Sequence, residues 1–222
     1  MTERHKPGRT LTERLARCYS GAVYDAMRDL GLPPSALPSD IRPLDPKRPL
    51  VGPIWTAEGR PEPGIDADTS LLGWTRLLSA APSGSVVVCQ PNDDSIAHMG
   101  ELSAETLRLR GVTGYLVEGG CRDTDFITRM GFPVFCRYNT PADIVGRWAV
   151  TALGEPITIG GVVIHTGDYL LADVDGAVVV PEDSVGDVVA EAERLMTTES
   201  ELRKAIMSGM DPSEAYLKFR VF

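Results

Sequence analysis

The chain has 222 residues, 43% of them hydrophobic and 24% charged, with a formal net charge of −9. This length suits one large α/β domain, which we expect to span residues 1–222. The acidic balance and the lack of a Lys/Arg-rich run argue against nucleic-acid or acidic-membrane partners. No apolar stretch approaches the ~20 residues of a membrane helix, and the start lacks the apolar core of a signal peptide, so we expect a soluble, cytoplasmic protein.

The first two predicted elements are helices between about residues 10 and 31. The segment "TLTE" has the spacing of a capping box, and "SGAVYDAMRDLG" predicts a second helix started by Ser20 and stopped at Gly31. After a Pro-rich loop, "LVGPIWTAEG" predicts a strand, "DADTSLLGWTRLLSAAPSG" an amphipathic helix and "SVVVCQ" a short buried strand.

The second half of the chain continues this alternation. The segment "MGELSAETLRLRG" predicts a helix from near Gly100 to Gly111, "TGYLVEGG" a strand, and "DTDFITRMG" a short helix before "FPVFCRY". Apolar strands that alternate with helices predict an α/β fold with a largely parallel sheet. Turn signals between Pro156 and Pro181 predict an antiparallel section, which makes the sheet mixed. A long C-terminal helix, about 182–208, and a short tail complete the prediction.

The first candidate site is the helix start at Gly100, Glu101, Leu102 and Ser103. Free N–H groups and the positive end of the helix dipole suit a carboxylate or phosphate there. Glycine would also let a ligand approach the backbone closely. An ordinary helix start with a favourable acid in its first turn has the same pattern, so both interpretations stay open.

The second candidate is the pair Arg122-Asp123, which follows a strand and Gly119-Gly120. Side chains at the carboxyl end of such a strand project into the crevice where α/β proteins bind ligands. Arg122 could grip a substrate carboxylate, and Asp123 could ligate a hard cation such as Mg²⁺. A local salt bridge, or a helix cap by Asp123 or Asp125, explains the same residues equally well.

Other chemical groups are weaker candidates. We expect His98 to be a solvated loop residue, and the four cysteines, which have no C-x-x-C pair, to be small buried hydrophobes with Cys121 as a wall residue. The lysines lie in polar or terminal contexts, which argues against Schiff-base chemistry. The acids of the terminal helix, Glu199 and Glu201 among them, would ordinarily form its solvated face.

The stretch "GELSAETLRLRGVTGYLVEGGCRDTDFITRMGFPVF" resembles the central signature of the family of regulator of ribonuclease activity A. That family includes the class II 4-hydroxy-4-methyl-2-oxoglutarate/4-carboxy-4-hydroxy-2-oxoadipate aldolases. The shared pattern is a Gly-acid helix start, a strand that ends in acid-Gly, then Arg-Asp, then Gly-Phe-Pro-Val-Phe. The resemblance extends to "AVYDAMRDLG", "LVGPIWT" and "IHTGDYLLADVDGAVVVP", so it covers most of the chain.

The resemblance implies a swivelling β/β/α-type domain that assembles as a homotrimer or homohexamer with active sites between subunits. By position, the helix start at 100–103 would hold the carboxylate of a 2-oxo acid substrate, and Arg122 would bind that substrate. Asp123 would ligate Mg²⁺ or Mn²⁺, and Glu101 would hold metal-bound water. The catalytic glutamate of the neighbouring subunit's terminal helix would be Glu199, with Glu201 as the second choice.

The function implied by the resemblance is a class II, metal-dependent pyruvate aldolase. It would cleave a 4-hydroxy-2-oxo diacid such as 4-hydroxy-4-methyl-2-oxoglutarate to pyruvate, with oxaloacetate decarboxylase side activity. The alternative is a non-enzymatic trimeric binding protein that regulates a ribonuclease. Regulators in the family typically lack the acid after the Arg and end before a long terminal helix, so Asp123 and the helix at about 182–208 favour catalysis.

Overall fold

Helices and strands alternate along most of the chain. The structure, a computed structural model, describes residues 10–33 and 35–220. Its helices are α1 (Leu11–Leu15), α2 (Ser20–Asp29), α3 (Ala67–Ala80), α4 (Glu101–Leu109), α5 (Thr124–Met130), α6 (Val185–Met207) and α7 (Pro212–Phe219). Its strands are β1 (Arg42–Pro43), β2 (Leu50–Pro61), β3 (Val86–Gln90), β4 (Gly114–Val117), β5 (Gly120–Cys121), β6 (Val134–Cys136), β7 (Tyr138–Asn139), β8 (Trp148–Leu153), β9 (Ile157–Ile159), β10 (Val162–Ile164), β11 (Tyr169–Ala172) and β12 (Ala177–Val180).

One mixed sheet forms the centre of the fold. Its strands follow the order β1-β6-β4-β3-β2-β11-β12, and β8 pairs with the C-terminal half of β2. The pairs β2–β3, β3–β4 and β4–β6 are parallel, whereas β1, β8, β11 and β12 pair in an antiparallel manner. This arrangement confirms the predicted mixed α/β sheet with a parallel centre and a later antiparallel section.

Apolar side chains of the central strands alternate between two cores. On β3, Val87 faces a core that includes Trp74 and Trp148, while Val88 faces the core beside the β9–β10 hairpin. A third core lies between α1, α2, α6 and the strands β11 and β12. Because α3 and α4 cover the first core, α6 belongs to a different layer of the molecule.

The N-terminal helix boundaries agree with the predicted ones. Thr10 forms the expected capping box with Glu13 at the start of α1. Helix α2 begins at Ser20, whose N–H and hydroxyl donate to the Asp173 carboxylate instead of capping the helix. Gly31 follows the end of α2 with a φ of +71°, a left-handed conformation that glycine adopts without strain.

The C-terminal part of the chain differs from the prediction in one respect. Helix α6 agrees with the expected helix at about 182–208, but the expected short tail contains a further helix, α7. The Asp211 carboxylate accepts from the Ser213 and Glu214 N–H groups, and Pro212 occupies the first turn. Among the helices of the described residues, none is long and apolar enough to cross a membrane.

Candidate functional site

Three chain segments meet where the predicted site residues lie. The Arg122 N–H donates to the Met99 carbonyl over 2.9 Å, and the Ala97 N–H donates to the Ala142 carbonyl over 2.8 Å. These backbone contacts place the start of α4, the Arg122-Asp123 pair after β5, and the loop after β7 side by side.

The start of α4 contacts the Arg-Asp pair directly. The Glu101 N–H donates to Asp123 Oδ2 over 3.1 Å, and Arg122 Nε lies 3.5 Å from the same oxygen. A Cβ at position 100 would lie 2.8 Å from Asp123 Oδ2 and 3.1 Å from Arg122 Nε, so Gly100 is what permits this close approach. The structure therefore brings together Gly100, Glu101, Arg122 and Asp123.

The rest of the helix start has free backbone donors. The Leu102 and Ser103 N–H groups have no acceptor within the described part of the chain. Such N–H groups at a helix N-terminus can receive an anion. The Ser103 hydroxyl accepts from Trp74 Nε1–H over 2.9 Å, and the Leu102 side chain is exposed to solvent. The two residues thus offer backbone groups rather than side chains.

Asp123 has an unusual backbone conformation, with φ +56° and ψ +32°. This left-handed region is uncommon for residues other than glycine, although aspartate tolerates it better than most. Asp123 precedes α5, yet its carboxylate makes no cap hydrogen bond to that helix and contacts α4 instead. Asp123 therefore occupies the N-cap position of α5 without capping it through its side chain, whereas the local salt bridge with Arg122, the other interpretation, is present. Asp125 forms an exposed ion pair with Arg129 at 3.1 Å.

A third segment adds Asp143, which was not among the predicted site residues. Asp143 Oδ2 lies 3.3 Å from Arg122 Nη1, and Asp143 Oδ1 accepts from the Val145 N–H over 3.2 Å. The side chains of Arg122, Asp123 and Asp143 are each 40% exposed, so all three are accessible to a ligand. In the sequence, the loop "TPADIVG" carries only turn signals, and nothing local indicates that it reaches Arg122.

The charged groups are among the residues that line a cleft of about 570 Å³. A cleft of this size suits a small-molecule ligand. Its apolar wall comprises Leu71, Trp74, Leu78, Ile144 and Val145. The cleft thus combines polar groups that can orient a ligand with apolar side chains that can exclude water from it.

His98 is buried, and the expectation of a solvated loop histidine was wrong. The residue is 1% exposed, its ring lies edge-on to Trp148 with 5.2 Å between centroids, and neither ring nitrogen has a hydrogen-bond partner among the described residues. Burial lowers the pKa of His98 to about 4, although Asp93 acts in the opposite direction. The ring is therefore neutral near pH 7. The apolar neighbours in "SIAHMG" were the available signal for burial.

The cysteines carry no nucleophile at this site. Each is a free thiol, three of them are buried and Cys18 is half-buried. A hydrogen bond with Cys136, together with burial, raises the pKa of the Cys121 thiol. Because the thiolate is the reactive form, a protonated Cys121 is not a nucleophile. Cys121 is fully buried in the first core and does not line the cleft, so it is the buried hydrophobe that was expected and not a wall residue of this cleft.

The two C-terminal glutamates lie away from this cluster. Glu199 on α6 accepts a hydrogen bond from the Tyr19 hydroxyl and pairs with Arg203 at 2.6 Å, while Glu201 is exposed on the same helix. Neither glutamate lines the cleft that the described residues of its own chain form. The assignment of Glu199 to a neighbouring subunit's site stays a prediction.

Asp123 is the residue that best fits a hard cation. Within residues 10–33 and 35–220, no group of three or more His, Cys, Asp or Glu side chains could hold an ion. Magnesium usually takes one or two protein carboxylates and completes its shell with water and substrate oxygens. The carboxylates of Glu101, Asp123 and Asp143 outnumber the single guanidinium of Arg122, so a divalent cation would balance the excess charge. The donors present therefore fit a partly hydrated ion.

Fold and site together define a mixed α/β protein in which a helix start that can accept an anion lies beside an Arg-Asp pair. A family model named RraA-like, described as Aldolase/RraA, matches residues 20–179. The chain belongs to this family.

Relatives and solved structures in the family carry different names. A protein of Halalkalibacterium halodurans named "Putative 4-hydroxy-4-methyl-2-oxoglutarate aldolase" is 27% identical over 182 residues, which cover 82% of this chain and 83% of that protein. Protein DlpA of Legionella pneumophila is 28% identical over 208 residues, which cover 92% of this chain but 33% of DlpA, so the chain spans about a third of that relative. The crystal structure of Streptomyces coelicolor RraAS2, described as an unusual member of the RNase ES inhibitor RraA protein family, has a TM-score of 0.77 and 27% identity, over 90% of this chain and 98% of that one.

Proposed function

We propose that this protein is a divalent-metal-dependent pyruvate aldolase that cleaves a 4-hydroxy-2-oxo diacid, such as 4-hydroxy-4-methyl-2-oxoglutarate, to pyruvate. Oxaloacetate decarboxylation is the expected side activity, because both reactions produce the enolate of pyruvate. One observation carries the proposal: Arg122 and Asp123 lie in a cleft against the open start of α4. The relative from Halalkalibacterium halodurans, with its aldolase name, supports the same reaction class.

The 2-oxo acid end of the substrate would bind between Arg122 and the start of α4. A guanidinium forms strong, geometrically defined hydrogen bonds with a carboxylate. The Leu102 and Ser103 N–H groups would donate to the same carboxylate from the helix side. Gly100 leaves the space between these donors free of a side chain.

Asp123 would hold the metal, Mg²⁺ or Mn²⁺, which when bound would supply Lewis acidity toward the 2-oxo group. The Glu101 N–H orients the Asp123 carboxylate by donating to one of its oxygens. The other oxygen, Oδ1, accepts no hydrogen bond within the described residues and would be available to ligate. Arg122 adds a fixed positive charge where negative charge develops on the substrate.

Cleavage breaks the C3–C4 bond of the substrate. The electron pair moves toward the 2-oxo group, and the C4 hydroxyl loses its proton as it becomes the carbonyl of the second product. A water held by Glu101, or by Glu199 of a neighbouring copy, would accept that proton. The enolate then takes a proton at C3 and leaves as pyruvate.

Self-association is part of the proposal. Glu199 lies on α6, in a different layer from the helices that form the cleft, so it could complete only the cleft of another copy. A homotrimer or homohexamer would supply such a neighbour. Sedimentation velocity would measure the oligomeric state, and a monomer would remove Glu199 from the mechanism.

A coupled assay of pyruvate release tests the proposal. The panel would contain several 4-hydroxy-2-oxo acids and oxaloacetate, with Mg²⁺, with Mn²⁺ and with EDTA. We expect EDTA to abolish release until metal returns, Asp123→Ala to abolish it in all conditions, and Arg122→Ala to raise KM. Asp125→Ala, which removes an exposed acid two residues away, is the matched control and should stay active. Full activity in a metal-free preparation would refute the proposal.

A second candidate function is regulation of a ribonuclease by direct binding. The structural similarity to the Streptomyces coelicolor inhibitor-family member favours it. A pull-down with a purified endoribonuclease, combined with a silent pyruvate assay, would support this candidate. Pyruvate release without any ribonuclease binding would exclude it.

A further inference from the structure

We infer that Asp143 is a positioning residue, which holds the guanidinium of Arg122 in the orientation that binds the carboxylate of a 2-oxo acid. The nature of the ligand rests on the proposed function. The role of Asp143 rests on the contacts of Arg122 and on the way the Asp143 loop is anchored.

Two carboxylates lie against two of the three nitrogens of Arg122. Asp123 Oδ2 lies 3.5 Å from Nε, and Asp143 Oδ2 lies 3.3 Å from Nη1. The guanidinium is planar and rigid, so the hydrogen bond at Nη1 together with the charge contact at Nε restricts its orientation. The third nitrogen, Nη2, donates no hydrogen bond within the described residues. It is the donor left for an incoming carboxylate.

The Asp143 side chain is itself held in place. Its second oxygen accepts from the Val145 N–H over 3.2 Å. On one side, the Ala142 carbonyl accepts from the Ala97 N–H, close to the start of α4. On the other side, Ile144 is 6% exposed and its carbonyl accepts from the Ser70 hydroxyl of α3. The loop is therefore fixed to the walls of the cleft on both sides of Asp143.

Stability alone does not explain the contact between Asp143 and Arg122. An ion pair whose two side chains are both 40% exposed contributes little to folding, because water screens it. Asp143 could instead compete with the substrate carboxylate for Arg122. In that case, removal of the Asp143 charge would tighten substrate binding. A positioning residue gives the opposite sign, because Arg122 then has to be ordered when the ligand binds.

Asp143→Asn separates these cases, because it removes the charge and keeps an oxygen that can accept from Val145. Calorimetry would measure the binding of oxalate, a 2-oxo acid analogue, in the presence of Mg²⁺, and the coupled assay would measure kcat and KM. We expect oxalate affinity and kcat/KM to fall about tenfold, mainly through KM, with an unchanged melting temperature. Asp125→Asn, which breaks an Asp–Arg pair outside the cleft, should change none of these quantities.

A double-mutant cycle with Arg122→Lys tests whether Asp143 acts through Arg122. We expect Asp143→Asn to have no further effect in the Arg122→Lys protein, whereas a purely structural role would give additive effects. Additive effects, or tighter oxalate binding by Asp143→Asn, would overturn the inference.

The two readouts also distinguish this inference from the proposed function. One outcome is that Asp143→Asn weakens oxalate binding while the wild-type protein cleaves no oxo acid. This outcome would support the positioning role and overturn the aldolase proposal. If the wild type cleaves an oxo acid and Asp143→Asn leaves both cleavage and oxalate binding unchanged, the aldolase proposal would be supported and the positioning role overturned. A wild-type protein that neither binds oxalate nor releases pyruvate would overturn both.

Discussion

A single methyl group at position 100 should disable the proposed site without unfolding the protein. An alanine Cβ there would lie 2.8 Å from Asp123 Oδ2 and 3.1 and 3.2 Å from Arg122 Nε and Cγ. Ordinary contacts begin near 3.4 Å, so both side chains must move by several tenths of an ångström. The backbone at Gly100, with φ −146° and ψ 177°, is extended and accepts alanine without strain.

The expected magnitude follows from these displacements. Misplacement of catalytic groups on the scale of 1 Å lowers rates by up to about 100-fold, so we expect kcat/KM of Gly100→Ala to fall by about 10- to 100-fold, or about 1.4–2.8 kcal/mol. Folding should change little. Alanine reduces the entropy of the unfolded chain, which stabilises the fold by about 0.4–1 kcal/mol. Alanine is also a poorer N-cap residue than glycine, which destabilises the fold by a similar amount.

Two measurements on Gly100→Ala check this reasoning. The coupled pyruvate assay at saturating Mg²⁺ gives kcat/KM, and urea denaturation gives the free energy of unfolding. Gly186→Ala in α6 is the matched control, because a Cβ there meets nothing within 4 Å. A folded Gly100→Ala protein with the wild-type kcat/KM would show that the packing of Arg122 and Asp123 against Gly100 has no catalytic meaning.

Three further predictions concern stability and the assembled site. Because burial lowers the pKa of His98 from 6.5 to about 4, the unfolded chain gains a proton before the folded chain as the pH falls from about 6.5 to about 4. Over that window, the free energy of unfolding of the wild type should fall by about 3 kcal/mol more than that of His98→Gln. Urea denaturation at both pH values measures this difference, and equal falls in the two proteins would contradict a buried neutral ring. A Cβ at Gly59 would lie 1.8 Å from the Trp148 ring. Gly59→Ala should therefore destabilise the protein by about 1–3 kcal/mol, measured as a lower midpoint of urea denaturation. An unchanged midpoint would mean that the ring can move aside freely. Glu199→Gln should lower pyruvate release about tenfold or more and Glu201→Gln should not, because two side chains hold the Glu199 carboxylate while Glu201 is exposed; the opposite order would assign the role to Glu201.

The central sheet and the helix starts could be predicted because their signals are local. The run "SVVVCQ" is apolar at every central position, as a strand covered on both faces must be. The capping box at Thr10 needs only four residues to be recognised. The same kind of signal was present for α7, where Asp211-Pro212 has the residue types of an N-cap and a first helical position, and the prediction missed it.

The missed site features depend on contacts between distant segments. Asp143 reaches Arg122 only because the loop after β7 is hydrogen-bonded to the segment before α4. The burial of His98 depends on Trp148, which lies 50 residues further along the chain, and on the lack of a Cβ at Gly119, which would lie 2.7 Å from the His98 ring. The apolar neighbours in "SIAHMG" signal the burial of His98, but no local pattern shows that Asp143 reaches Arg122. A single sequence could therefore indicate the Arg122-Asp123 pair but not the carboxylate behind it.

The left-handed backbone of Asp123 has an evolutionary consequence. Glycine at this position would relieve a conformational penalty of about 1 kcal/mol, and the lost hydrogen bond from the Glu101 N–H would offset a similar amount. The fold would therefore tolerate the exchange, while the proposed metal ligand would disappear. An Asp codon becomes a Gly codon through one base change, so selection for folding alone does not protect the site. Members of this family are named both for an aldolase and for ribonuclease inhibition. One substitution that leaves the free energy of unfolding nearly unchanged would be enough to convert a metal-dependent enzyme into a protein that only binds.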